Sequence, residues 1–504
     1  FGSSMFGFSL CQSLKPAPCL QMISSRGMEV TTPRAEDANV KLEWESDTDP
    51  AMTSDKWRWI FMVMTLTFSL NHATVTTPII YSSSVLVFSI GNYANAILYV
   101  VTMLTSLTLA PLVASTLGSK KCLLAGLCGY TIYVLCFALA AFNCRVPGEA
   151  GGCLEAGAVQ WGLALGGSAI GGLGAGVLWT GQGAFFTAIV EKIVEAKQKS
   201  PDNRGREHEA ILGEVTAELS ATFAFYYLGL ECIVKIAFTL LQRYAMVSVP
   251  VIFCIWAGLA ALATAIFAFS EDVRSSSAAG RASACGKTLA AITLWADPTI
   301  WLLAFTNLTF GFSVAWLNGY VNAHFLKDAV SSTSFIGFLG ALITFIAGVS
   351  SKLFGWIGGR SGKGPILLLG SVCFLLVGLL SLITAPAGRG PGGWGWGILA
   401  FYVLQGLGRG VYESTNKGIF GDFFPGPQGV GAFANVMVQG TLSSSIGFIL
   451  VATKTEQAMI YLLLVSATMT FPCYLVARMI QQRKQGEHQD SESTASEEGS
   501  SSEA

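Results

Sequence analysis

Charge is what this sequence most lacks. Only 12% of its 504 residues are Asp, Glu, Lys or Arg, against 52% hydrophobic. Soluble domains carry roughly a quarter charged residues, so a chain this long has too few to cover its surface against water. Lipid must cover part of it. The net charge of −1 gives no basic field for a nucleic acid. Histidine is also scarce, at four residues, and the twelve cysteines include no Cys-x-x-Cys pair. The usual zinc-ligand spacing is therefore missing, and neither a metal nor another cofactor is expected.

What the chain has is long apolar runs. A membrane-spanning helix needs roughly 20 predominantly apolar residues. Twelve such stretches follow one another, from Trp57–Ser82, Asn92–Thr116, Cys122–Phe142 and Val159–Val190 through to Val430–Ala452 and Ala458–Ile480. Residues 1–56 are mixed and polar, and read as an unstructured lead-in that opens at Phe1, as a processed form or a fragment would. The Ser- and Glu-rich residues 481–504 read as an unstructured acidic tail open to phosphorylation. The expected fold is an all-α polytopic membrane protein of about twelve helices.

Lys and Arg set its orientation. With Trp57–Ser82 as the first span, twenty of them fall at one end of the bundle. Five fall at the other: Arg145, Arg243, Lys327, Arg389 and Lys454. Both termini are expected at the basic, cytoplasmic end, with the identity of the membrane left open. Cys144 and Cys153 then bracket a short Gly- and Pro-containing loop on the opposite side, where oxidation is permitted. They are the disulfide candidate.

An internal repeat divides the chain. Gly172-Leu173-Gly174-Ala175-Gly176-Val177 in span four matches Gly406-Leu407-Gly408-Arg409-Gly410-Val411 in span ten at all but one position. Residues 57–269 and 298–480 therefore read as two similar six-helix halves, joined by a cytoplasmic linker at 270–297. Gly172 and Gly176, like Gly406 and Gly410, have the small-xxx-small spacing that lets helix backbones pack closely.

Two such halves, with Gly118-Ser119-Lys120-Lys121 after span two and Gly358-Gly359-Arg360-Ser361-Gly362-Lys363 after span eight, resemble the major facilitator superfamily. Gly172 to Gly183, ending Trp179-Thr180-Gly181-Gln182-Gly183, is similar to the Gly-rich signature of the uncoordinated-ninety-three-like family, also called ion channel regulatory proteins. Gly421-Asp422-Phe423-Phe424-Pro425, followed by Ala432-Phe433-Ala434 and Gln439, resembles that family's segment after span ten. Span ten departs from the family in carrying Arg409, Glu413 and Lys417. The resemblance implies either solute transport or regulation and trafficking of a partner membrane protein, and leaves both open.

Charges inside spans are the most informative residues, because each costs on the order of 2.5–3.5 kcal/mol at mid-bilayer unless it faces protein or water. Span five offers Glu231 and Lys235, and span ten Arg409 and Glu413, each pair four apart and so on one helix face. One reading is an anionic or zwitterionic solute held by Arg409 or Lys235, with Glu231 or Glu413 protonatable. The other is two self-satisfied pairs that lock helices together. Gln182, Asn71 and His72 are further substrate or coupling-ion candidates, and buried amides serve equally as bonds between helices. A lone His near neutral pH is a possible proton carrier.

Nothing points to an enzyme. The Gly-x-Gly run opens no βαβ unit, and Gly286-Lys287-Thr288 lacks the first glycine of a phosphate loop, since position 281 is Arg281. The leading expectation is alternating-access transport of a small solute, with ion coupling an option. The rival is a non-transporting regulator of a channel or receptor.

Overall fold

The structure, a computed structural model, describes residues 50–148, 152–200, 207–273, 284–326, 333–384, 395–425 and 428–501. The lead-in at 1–49 and the linker residues 274–283 lie outside it. The described residues form helices throughout, apart from one short hairpin. Helix α1 is Pro50–Val85, and α2 is Phe88–Leu107 continued, past a break at Thr108, by Leu109–Leu117. Helix α3, Ser119–Phe142, leads into strands β1, Cys144–Pro147, and β2, Cys153–Ala156, which pair antiparallel. Helices α4, Ala158–Lys199, α5, His208–Arg243, and α6, Val249–Ala268, follow.

A short helix, Ala284–Thr293, precedes α7, which comprises Pro298–Leu302, Ala304–Trp316 and a widened π turn at Leu317–Phe325. Helices α8, Ile336–Ser361, and α9, Gly364–Thr384, come next. Helix α10 is Leu399–Val411, a π turn at Tyr412–Asn416, and Lys417–Phe423. Helices α11, Gln428–Ala452, and α12, Glu456–Ser501, complete the chain.

Ten helices among the described residues are long and apolar enough to cross a membrane. The two that fall short are α1 and α10, and both have a physical reason. Helix α10 is broken by its π turn and carries Arg409, Glu413 and Lys417. Helix α1 spreads Thr, Ser, Asn and His along its length, and protein buries them, as with Thr65, Ser69, Asn71, Thr74 and Thr77. A helix enclosed by neighbours need not be apolar all round.

Packing repeats across the chain. In the first half α3 packs on α4, α2 on α4, α3 on α6 and α1 on α5. In the second α9 packs on α10, α8 on α10, α9 on α12 and α7 on α11. The halves meet through α2 against α11 and, symmetrically, α5 against α8. The repeated glycines make the corresponding contacts. A Cβ on Gly172 would lie 2.7 Å from Val101 Cβ on α2, and one on Gly406 would lie 2.8 Å from Ile346 Cβ on α8. Gly176 faces Thr105 and Gly410 faces Ser350 on those same two helices.

Two expectations about the ends change. Helix α1 starts at Pro50, so the last residues of the presumed lead-in are helical. Helix α12 runs to Ser501, through most of the presumed unstructured tail. Extending an existing helix avoids the nucleation cost that an isolated segment would bear, and the tail's Gln, Lys, Arg and Glu are good helix formers.

Candidate functional site

The charged residues of α5 and α10 meet at the seam between the halves. Lys235 Nζ donates to Glu231 Oε1 at 2.5 Å, one helical turn away on α5. Arg409, on α10 of the other half, reaches the same carboxylate with both terminal nitrogens, Nη1 to Oε1 and Nη2 to Oε2, each at 3.2 Å. Thr344 of α8 adds its hydroxyl at 3.1 Å. Glu231 is 1% exposed and Lys235 3%, so this is a buried cluster whose carboxylate is held by three residues. Breaking a buried pair by removing one partner costs roughly 3–5 kcal/mol.

This arrangement corrects the reading of two self-contained pairs. Arg409 Nε lies 3.8 Å from Glu413 Oε1, too far for a hydrogen bond. Glu413 instead takes Lys417 Nζ at 2.5 Å. Arg409 therefore looks across the seam to Glu231, and ion pairs chain Lys235, Glu231, Arg409, Glu413 and Lys417 together. Thr344 was not anticipated, because a threonine in an apolar helix carries no signal of its own.

A cavity of about 110 Å³ lies against this cluster. At about 10–15 Å³ for each water centre, it has room for several waters or one small molecule. The first half contributes His72, Tyr99, Tyr130, Glu231 and Lys235, and the second contributes Phe310, Asn318, Gln405 and Arg409. Position 175 also lines it, as does its repeat-equivalent, position 409.

The other sequence candidates divide. His72, 2% exposed, lines the cavity, and neither ring nitrogen has a hydrogen-bond partner among the described residues. Its ring lies against Tyr227, Trp179 and Tyr130, at centroid distances of 5.0, 5.3 and 5.8 Å. Asn71 is corrected to a bond between helices. It points away from the cavity and donates to Thr264 Oγ1 of α6 at 3.1 Å and toward Ala260 O at 3.2 Å. Gln182 is buried within the first half and does not line the cavity either. Adjacent helix positions lie about 100° apart, which is why Asn71 and His72 face different surroundings.

At the end opposite the start of α1, the hairpin carries a disulfide between Cys144 and Cys153, with a Cα–Cα distance of 5.7 Å. Nearby the halves close on each other. Tyr81 Oη accepts the Gly337 N–H at 2.9 Å and Thr239 Oγ1 the Phe338 N–H at 3.1 Å, while Asn322 donates to Ile80 O at 3.1 Å. At the basic end Asp297 caps α7, accepting from Thr299 N–H at 2.9 Å. Partial burial pushes its carboxyl up, but the Thr299 donors and Lys484 hold it below the ordinary carboxylate value. Among the described residues no group of three or more His, Cys, Asp and Glu could hold a metal ion.

No protein-family model matches the chain, and no curated protein matches it in sequence. Solved structures do match. The partially occluded inward-open form of the xylose transporter XylE from E. coli aligns with a TM-score of 0.56 and 13% identity, over 84% of this chain and 98% of that one. The chain has the major-facilitator fold. The inward-open form of XylE gives 0.55 and 12% over 83% and 94%, and a D-xylose-proton symporter 0.52 and 12% over 84% and 97%. In this major-facilitator bundle the cavity, the charged seam and the closed end all lie between the two six-helix halves.

Proposed function

We propose that this protein moves a small solute across a membrane by alternating access, with the central cavity as the solute site. The observation that carries this reading is the Glu231–Arg409 pair. It joins two similarly packed halves at a cavity, so it must break or re-form whenever one half rocks against the other. The solved neighbours of the same fold are a xylose transporter and a D-xylose-proton symporter by their titles, which supports transport as the class without naming a substrate.

On this reading residues 57–269 and 298–480 are the rocking units and 270–297 their cytoplasmic link. Both termini are cytoplasmic, because most Lys and Arg gather at that end. The runs at 172–183 and 421–439 support placement in the uncoordinated-ninety-three-like family. Glu231 and Glu413 are the carboxylates available for ion coupling.

Reconstitution into proteoliposomes tests the reading. Glu231→Gln and Glu413→Gln are expected to keep expression and localisation while losing uptake. A protein that moves nothing from a broad solute panel, with or without a pH gradient, overturns it.

A further inference from the structure

The central cavity has mostly apolar walls and unbalanced charge. Val75, Ile79, Leu98, Phe310, Val314 and Ile343 make much of its surface. Of the five linked charges, Glu413 and Lys417 neutralise each other beside the cavity. One carboxylate, Glu231, then faces two cations, Lys235 and Arg409, all three on the cavity wall. The surplus is one positive charge. It coincides with unused hydrogen-bonding capacity, because Arg409 Nε is buried and has no hydrogen-bond partner among the described residues. His72 lines the same space with both ring nitrogens unpartnered.

A neutral sugar could bond to Asn318 and Gln405 on these walls but would leave the surplus cation unbalanced. A monoanion with an apolar body fits both features at once. Granted the transport reading above, we propose that the solute is a small organic monoanion, a carboxylate on an apolar body about the size of one ring. Its carboxylate takes the bidentate position on Arg409 that Glu231 occupies in the structure. Glu231 keeps Lys235 and Thr344. The bound cavity is then electrically balanced, and the ion pair between the halves is exchanged for one between protein and solute. Loading thereby releases the contact that joins the halves at this depth.

The probes are benzoate, its neutral isostere benzamide, and xylose, titrated into the purified full-length protein by calorimetry. Benzoate is expected to bind about tenfold or more tightly than either neutral probe, because only it makes a charge-assisted bidentate contact. Glu231→Gln removes the resident competitor and is expected to tighten benzoate roughly tenfold, whereas Arg409→Gln removes the acceptor site and loses binding. Equal binding of benzamide or xylose, no benzoate binding, or weakening by both substitutions overturns the proposal. The isostere comparison uses the unaltered chain and stays decisive even where a variant does not fold. Counterflow of benzoate in proteoliposomes separates the two readings. Selective benzoate binding without exchange across the membrane sinks alternating access and leaves the anion site. Exchange of xylose without benzoate binding sinks the anion site and leaves transport.

Discussion

Ala175 and Arg409 occupy equivalent places in the repeated glycine run, and both line the cavity. The repeat is kept where helices must touch and broken at the residue that faces the cavity. Around that position the glycines leave no room. A Cβ on Gly406 would sit 2.8 Å from Ile346 Cβ and 3.2 Å from Ile343 O, closer than carbon contacts normally allow. Gly406→Ala should therefore lower thermal stability in detergent, by about 1–3 kcal/mol as for other overpacked sites. Gly421→Ala, where nothing lies within 4 Å, should be neutral or slightly stabilising, because alanine is the better helix former. Equal effects of the two would mean that close approach is not what these glycines provide. The spacing of Gly172, Gly176, Gly406 and Gly410 was legible in the sequence. The separate fates of Asn71 and His72 were not, because an amide in a spanning helix looks the same whether it meets a neighbour or a cavity.

Helix α8 shows how one element ties the halves together. The first N–H groups of any helix lack partners within it, and no side chain of α8's own N-terminal residue supplies one. Tyr81 of α1 and Thr239 of α5 do so from the other half, at Gly337 and Phe338. Closing this end therefore satisfies two donors that opening returns to water. Tyr81→Phe with Thr239→Val keeps the shapes and leaves both N–H groups orphaned only in the closed form, at about 1–3 kcal/mol for each buried group. Amide hydrogen exchange over residues 336–340 should accelerate at least about fivefold, as expected for a shift of roughly 1 kcal/mol or more in the opening equilibrium. Unchanged exchange would show that these bonds do not hold the end shut. Such caps join residues more than ninety positions apart, so no local pattern discloses them. The Glu231–Lys235 pair was visible through its i,i+4 spacing, whereas its partner Arg409, 178 positions away, was not.

At the scale of the whole molecule, hydropathy suffices for ten helices, and the remaining two are α1, with its buried Thr, Ser and Asn, and α10, with its three charges. Whether α10 crosses the membrane decides how the charged seam is placed, and a count of crossings can answer it. Nine helices, α4 to α12, separate the hairpin from the C-terminus. An odd number of crossings puts these two points on opposite sides, and an even number puts them on one side. An epitope inserted between Gly148 and Gly152 and another after Ala504 should thus never be reached from the same side of a sealed vesicle. If α10, with Arg409, Glu413 and Lys417, lay along the surface, the crossings would fall to eight and both epitopes would be accessible together. The energetics favour the crossing. Three charges alone in hydrocarbon would cost on the order of 7–10 kcal/mol on insertion scales, but Arg409 and Glu413 find partners inside the bundle and Lys417 pairs with Glu413. The partners that make the crossing affordable are the groups that line or flank the cavity, so epitopes found on one side would remove α10, and the proposed solute site with it, from the membrane interior.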